Sequence, residues 1–291
     1  MVSNMKRNPL ARFLIAFLFA LSATQACHAQ VFYSVVSEEG RQNWLLGTIH
    51  SDDERVLDFP PVLEQALEQA EVIALELVPD QEMLKQLAAA MRLPRGQNLS
   101  DRLDAALYAR VRAALEDYGI RADSVDQLRP WAAALTLGQP PVRTGRFMDL
   151  VLARKAAEHG AISVPLETVE EQLAFFTGLG EQAHVALLRQ AVRDRERGLE
   201  DFAALVDAYL ASDLEQLRQQ AGCQLSRLPE AVQQAFRTQG ITLRNIEMAR
   251  RAQPLLDKGG ALIAVGALHL PGEKGLVARL REQGDRVEAI Y

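Results

Sequence analysis

Four side chains in this 291-residue chain stand where chemistry is expected, each in or just beyond an apolar run. "WLLGTIH" ends on His50 and "LIAVGALH" ends on His269, both as Gly-x-x-His. "VIALELV" carries Glu76 between two leucines, and "ISVPLET" carries Glu167 after Leu166. A carboxylate in such surroundings is costly to bury unless it meets a cation or a metal. Taken singly, each has a structural explanation: a hydrogen-bonded core histidine, an ion-paired glutamate, a carboxylate at a helix start. Four such endings on separate runs favour one shared site.

Two imidazoles with one or two carboxylates form a ligand set suited to zinc, manganese, cobalt or iron. A divalent ion so held acidifies bound water and polarises a carbonyl, and a spare carboxylate serves as general base. Nucleophile chemistry has less support. The chain has no Gly-x-Ser-x-Gly elbow, no His-Glu-x-x-His helix and no phosphate-loop or dinucleotide signature. Ser51 follows His50, but sequence neighbours on a strand point to opposite faces. Gly47 and Gly266 each precede a histidine by three residues and read as points of close backbone approach. "LPGEKG" after His269 could offer backbone N–H groups to an anion.

These residues converge only if the runs are neighbouring parallel strands, whose carboxyl ends line one crevice. The chain supports that architecture. "VFYSVV" and "QNWLLGTI" flank a Gly-containing turn and read as a hairpin. "FPPVLEQALEQA" has prolines suited to a helix start and apolar residues at helical spacing. A strand follows, completing a parallel α/β unit. Helical periodicity then covers 80–93, 99–119, with Ser100 as N-cap, 123–138 and 146–160, closed by Gly160. "AISVPLE" returns to strand character, and Thr168 with Glu171 forms a capping box for the next helix. Segments 181–257 are helical and charged, as solvated faces are. The C-terminus reads strand, loop, helix, strand. The expected fold is α/β, with a mixed sheet built from both chain ends and Ala161–Glu167 and a large helical insertion, about 81–160 and 181–257, in a single domain 30–291.

Residues 1–29 read as a secretory signal peptide: Lys6, Arg7 and Arg12, an apolar run from Phe13 to Ala23, and small residues Cys27 and Ala29 before the cut. Cleavage removes those three basic and no acidic side chains, taking the formal charge from −6 to −9. An acidic mature chain has no electrostatic reason to bind nucleic acid or anionic lipid. Cys223 remains alone, cannot form an internal disulfide, and is expected to be a buried structural thiol.

Over "WLLGTIH", "VIALEL", "MDLVLARKAAEHGAISVPLETVEEQLAFF", "LRNIEMA" and "AVGALHLPGEKGLVARLREQG", the chain resembles the TraB/GumN family, which includes the Tiki-like metalloproteases. The resemblance implies an α/β core related to erythromycin-esterase-like hydrolases and metal-dependent hydrolysis in the periplasm or outside the cell. It implies His50, His269 and Glu76 as ligands to manganese, cobalt or zinc, with Glu167 as water activator or further ligand. Asp149, Arg244 and Asn245 follow as substrate-facing or structural support, and the substrate as a peptide or other small extracytoplasmic molecule. Phe147 stands where many relatives carry glycine, and "HSDDERV" replaces their apolar-Gly-Asp. Two rival readings stay open: a non-catalytic protein sequestering a peptide or polysaccharide in the same cleft, and a metal-independent esterase with His50 as base.

Overall fold

The computed structural model describes residues 30–291, so the expected leader at 1–29 lies outside the described residues. Six strands form one sheet: β1 Phe32–Val36, β2 Gln42–Thr48, β3 Val72–Leu75, β4 Ile162–Pro165, β5 Ala261–Gly266 and β6 Arg286–Ala289. Their spatial order is β4-β3-β5-β2-β1-β6. The four consecutive strands β4, β3, β5 and β2 run parallel, while β1 is antiparallel to both β2 and β6. The sheet is therefore mixed and uses both chain ends, as the sequence pattern predicts.

The central strands explain their own composition. In β2 every residue after Gln42 is buried, and β5 is buried from Ala261 to Val265. A parallel strand covered on both faces reads as a continuous apolar run rather than an alternating one. Helix Pro61–Gln69 begins on its prolines and buries Leu63, Ala66 and Leu67. Helix Met148–Glu158 leads into β4 through Gly160, whose φ of +87° suits glycine. Thr168 and Glu171 close the expected capping box at helix Val169–Thr177, with hydrogen bonds of 3.2 and 2.8 Å.

The helical middle of the chain has cores of its own. Leu99, Leu107, Val111, Leu115, Leu137 and Leu188 form one cluster, bringing helix Pro130–Leu137 against helix Glu181–Arg193. Trp131, Val169 and Leu173 form another.

Three expectations are corrected. Ser100 opens only a short 3-10 turn; Asp104, accepting from the N–H of Leu107 at 2.8 Å, caps helix Ala105–Glu116. The run 123–138 breaks in two because Pro130 lacks the N–H a continuing helix needs and instead starts Pro130–Leu137. Cys223 is exposed, because helix Leu214–Leu225 buries only Leu214 and Leu217 and leaves the thiol on its open side. No helix among the described residues is long and apolar enough to cross a membrane.

Candidate functional site

The four parallel strands end along one edge, and each delivers its titratable residue there. β2 and β5 are neighbours in register, with Gly47 opposite Val265 and Thr48 opposite Gly266. The two Gly-x-x-His segments thus leave the sheet side by side. That proximity demands glycine at position 47 and favours it at position 266. A Cβ on Gly47 would stand 2.8 Å from Leu270 Cδ1 and 3.0 Å from Ala267 Cα, and one on Gly266 would stand 3.2 Å from Glu76 Oε1. Pairing of β3 with β4 continues past the strands, the N–H of Glu167 donating to the carbonyl of Glu76 at 3.0 Å. This sets the two glutamates next to each other.

Between them lies Arg244. Its Nε donates to Glu167 at 2.8 and 3.1 Å, and its Nη2 reaches Glu76 at 2.7 Å and Glu167 at 2.5 Å. Glu76 Oε2 also accepts from Gln172 Nε2 at 2.9 Å, and Oε1 from the N–H of Gly266 at 2.7 Å. Burial opposes ionisation of Glu76, but the neighbouring His269 and Arg244 and the Gly266 N–H outweigh that and hold its pKa below the ordinary range. Glu167, its side chain 1% exposed, has its pKa pushed up by burial against the pull of Arg244. Burial also works against the charge on Arg244, yet its bonds to Glu167 and the field of Glu76 keep its pKa raised.

His269 is buried, and its orientation can be deduced. Asn245 Nδ2 faces two carbonyls, of Lys274 at 2.8 Å and His269 at 3.2 Å, which can only accept. Asn245 Oδ1 therefore points at His269 Nδ1, 2.5 Å away, and that nitrogen must carry the proton. The lone pair on Nε2 is left facing Glu76 Oε1 at 3.7 Å. Burial lowers the His269 pKa to about 4, with Glu76 opposing, so the imidazole is neutral at pH 7. "LPGEKG" contributes the Lys274 carbonyl that fixes Asn245.

His50 is more open, its side chain 61% exposed. Its ring stacks on Phe147 at 4.3 Å with 7° between planes, and Nδ1 lies 3.8 Å from Asp149 Oδ2. "HSDDERV" organises this side of the site. Asp52 accepts from the N–H groups of Arg143 and Thr144 at 2.7 and 2.8 Å, pinning the loop that presents Phe147. Behind it, buried Tyr209 donates to the Gly47 carbonyl at 2.8 Å.

His50, Glu76, Arg244 and His269 line one cavity of about 290 Å³. Glu167 and Asp149 are not on its wall: Glu167 sits behind Arg244, and Asp149 flanks His50. Among the described residues, no three His, Cys, Asp or Glu side chains stand together closely enough to hold a metal ion. The donor types nonetheless suit a divalent cation. His269 has one nitrogen tied to a fixed carbonyl oxygen and the other free, the arrangement by which ligating histidines are oriented.

Sequence reasoning did not find Gln172, Tyr209 or the π-helical stretch Phe236–Leu243, which runs directly into Arg244. Arg244 Nη1 donates back to the Gly240 carbonyl at 3.3 Å across that stretch. Such π segments concentrate at functional sites. Only Gln172 had a sequence cue, its place in "LETVEEQ".

A model of the TraB/PrgY/gumN family matches residues 32–289. The chain is 26% identical to "Metalloprotease TIKI1" of Danio rerio over 298 residues, covering 84% of this chain and 60% of that protein. It is 27% identical to "Metalloprotease TIKI2" of Danio rerio over 302 residues, covering 84% and 58%. The human "Metalloprotease TIKI1" is 25% identical over 299 residues, covering 84% and 59%. The chain thus spans about 60% of the length of the curated relatives it matches. No solved structure matches it significantly.

Proposed function

The chain belongs to the TraB/PrgY/gumN family, and from that premise we propose that it is an exported, metal-dependent hydrolase of peptide bonds acting in the periplasm or outside the cell. The observation that supports this most is the delivery of His50, Glu76 and His269 from three neighbouring parallel strands to one cavity. His50, His269 and Glu76 would hold the ion, manganese, cobalt or zinc, which when bound supplies carbonyl polarisation and a more acidic water.

The protein's own groups set the rest. Asn245 keeps the His269 proton on Nδ1, so Nε2 always offers a lone pair to the cavity. Arg244, Gln172 and the Gly266 N–H hold Glu76 ionised and stationary, which suits an anionic anchor better than a proton carrier. Glu167 works through Arg244 as a positioning residue. His50 stands at the solvent-facing rim, oriented by its stack on Phe147 and by Asp149 beside it.

Metal content of the purified protein, with hydrolysis of a fluorogenic peptide library under manganese, cobalt or zinc, tests the proposal. Turnover and bound metal should both be lost in His50→Ala and His269→Ala. Wild-type protein that stays inert and metal-free would overturn it. The three bonds already made to Glu76 give a binding-only role some support, and peptide affinity that survives both histidine substitutions would select that role.

A further inference from the structure

The wall opposite in character to the catalytic groups defines what the cavity accepts. Phe202 and Leu205 come from helix Arg195–Leu210, Leu217 from helix Leu214–Leu225, and Phe236 and Ile241 from the π-helical stretch. Leu217 is buried and the other four are half-buried, so together they offer one apolar surface beside His269 and Glu76. Among the described residues, the only lysine or arginine on the lining is Arg244, and its charge is already answered by two carboxylates. Among the described lining residues there is no second lysine or arginine to pair with a terminal carboxylate or another anionic group. A charged peptide side chain pressed onto the apolar wall would lose its hydration without gaining a partner there.

We propose that the cleft takes an uncharged internal segment of a polypeptide and seats one large apolar side chain on Phe202, Leu205, Leu217, Phe236 and Ile241, beside the amide that is cut. This specificity rests on the hydrolase reading above. The cut adds water across the amide: the hydroxyl goes to the acyl carbon, the C–N bond breaks, and the proton goes to the departing nitrogen. Burying an aliphatic or aromatic side chain against such a wall discriminates by about 10- to 200-fold per group or two, the range hydrophobic pockets reach.

The test uses peptides blocked at both ends and differing at one position: Leu, Phe, Ser, Asp or Lys. Wild-type kcat/KM should favour Leu and Phe over Ser and Asp by at least about tenfold. Phe202→Lys should shift the preference toward the Asp peptide, and Ile241→Ser, on a different element, should reduce the Leu preference if Phe202→Lys misfolds. The same series with a reduced, uncleavable amide is titrated calorimetrically. The same order of affinities without turnover keeps the apolar subsite and overturns hydrolysis. Turnover and affinity that ignore the varied residue overturn the subsite and keep hydrolysis. Peptides neither bound nor cut overturn both.

Discussion

Asn245 Oδ1 and His269 Nδ1 lie 2.5 Å apart with both side chains buried, and the amide is held from behind by two backbone carbonyls. Asn245→Leu removes the acceptor and strands two polar groups, the His269 Nδ1–H and the His269 carbonyl, while Arg279 still donates to the Lys274 carbonyl. A loss of about 1–3 kcal/mol for each unsatisfied group that stays dry is expected, read as a lower urea midpoint, together with loss of activity. Asn245→Asp keeps the shape but places a carboxylate on Nδ1, so the His269 pKa should rise from about 4. Proton NMR titration of the ring decides; an unmoved pKa would contradict the assigned tautomer.

The same imidazole makes a pH prediction. Its folded pKa of about 4 lies below the ordinary 6.5, so between those values the unfolded chain binds a proton that the folded chain refuses. In chelator, stability should therefore fall as the pH drops from 6.5 toward 4 and level off below, with a slope from this group of at most about 1.4 kcal/mol per pH unit. His269→Gln should lack that component. Parallel stability curves for the two proteins would refute it.

The two motif glycines should fail differently. Ala267 Cα, 3.0 Å from a Cβ at position 47, is backbone and cannot swing away. Gly47→Ala should cost roughly 1–3 kcal/mol, as overpacking does. At position 266 the obstruction is Glu76 Oε1 at 3.2 Å, a side-chain atom that can retreat. Gly266→Ala should cost less stability than Gly47→Ala, because only a side chain has to shift, and should lower kcat by displacing the carboxylate from its bonds. Equal stability losses would count against the distinction.

Why so much of this edge is legible in the sequence follows from the strands themselves. A parallel strand buried on both faces must be apolar throughout, so a histidine or glutamate at its end stands out, as at His50, Glu76 and His269, whereas Glu167 follows the more exposed edge strand β4. What lies behind those residues is set by contacts between distant positions. Arg244 meets Glu76 across 168 residues and Tyr209 meets Gly47 across 162, and neither spacing leaves a local trace. Glu167 reads as a water activator because its strand points it to the cleft edge; the guanidinium that intervenes belongs to a helix preceded by a π stretch, which no simple periodicity announces. Cys223 and Ser100 depart from the expected places for a local reason. A small polar or thiol side chain fits an exposed helix face or a 3-10 turn as readily as a core or a cap.

The two histidines should also separate stability from function. His50 is largely exposed and touches its surroundings through the Phe147 stack, whereas His269 is buried in a hydrogen-bonded frame. His50→Ala should change stability by less than about 0.5 kcal/mol while abolishing activity and metal uptake. His269→Ala should cost several times more, by leaving a cavity and an unpaired Asn245 Oδ1. Thermal melts of both variants beside their metal content would settle it, and equal destabilisation would show that His50 is a structural residue.

Arg244 carries the sharpest electrostatic test, since it stands between two carboxylates of which one is almost wholly enclosed. Arg244→Met leaves Glu76 and Glu167 facing each other without a cation, and breaking a buried pair from one side costs about 3–5 kcal/mol. Glu167→Gln keeps a neutral acceptor for Arg244 and should cost clearly less. If Glu167 serves only to hold the guanidinium, the double variant Arg244→Met with Glu167→Gln should be more stable than Arg244→Met alone, because it removes one of the two stranded charges. Chemical denaturation of the four proteins gives the coupling directly. A double variant with simply additive losses would mean that the two side chains act independently, and Glu167 would then need a role other than positioning Arg244.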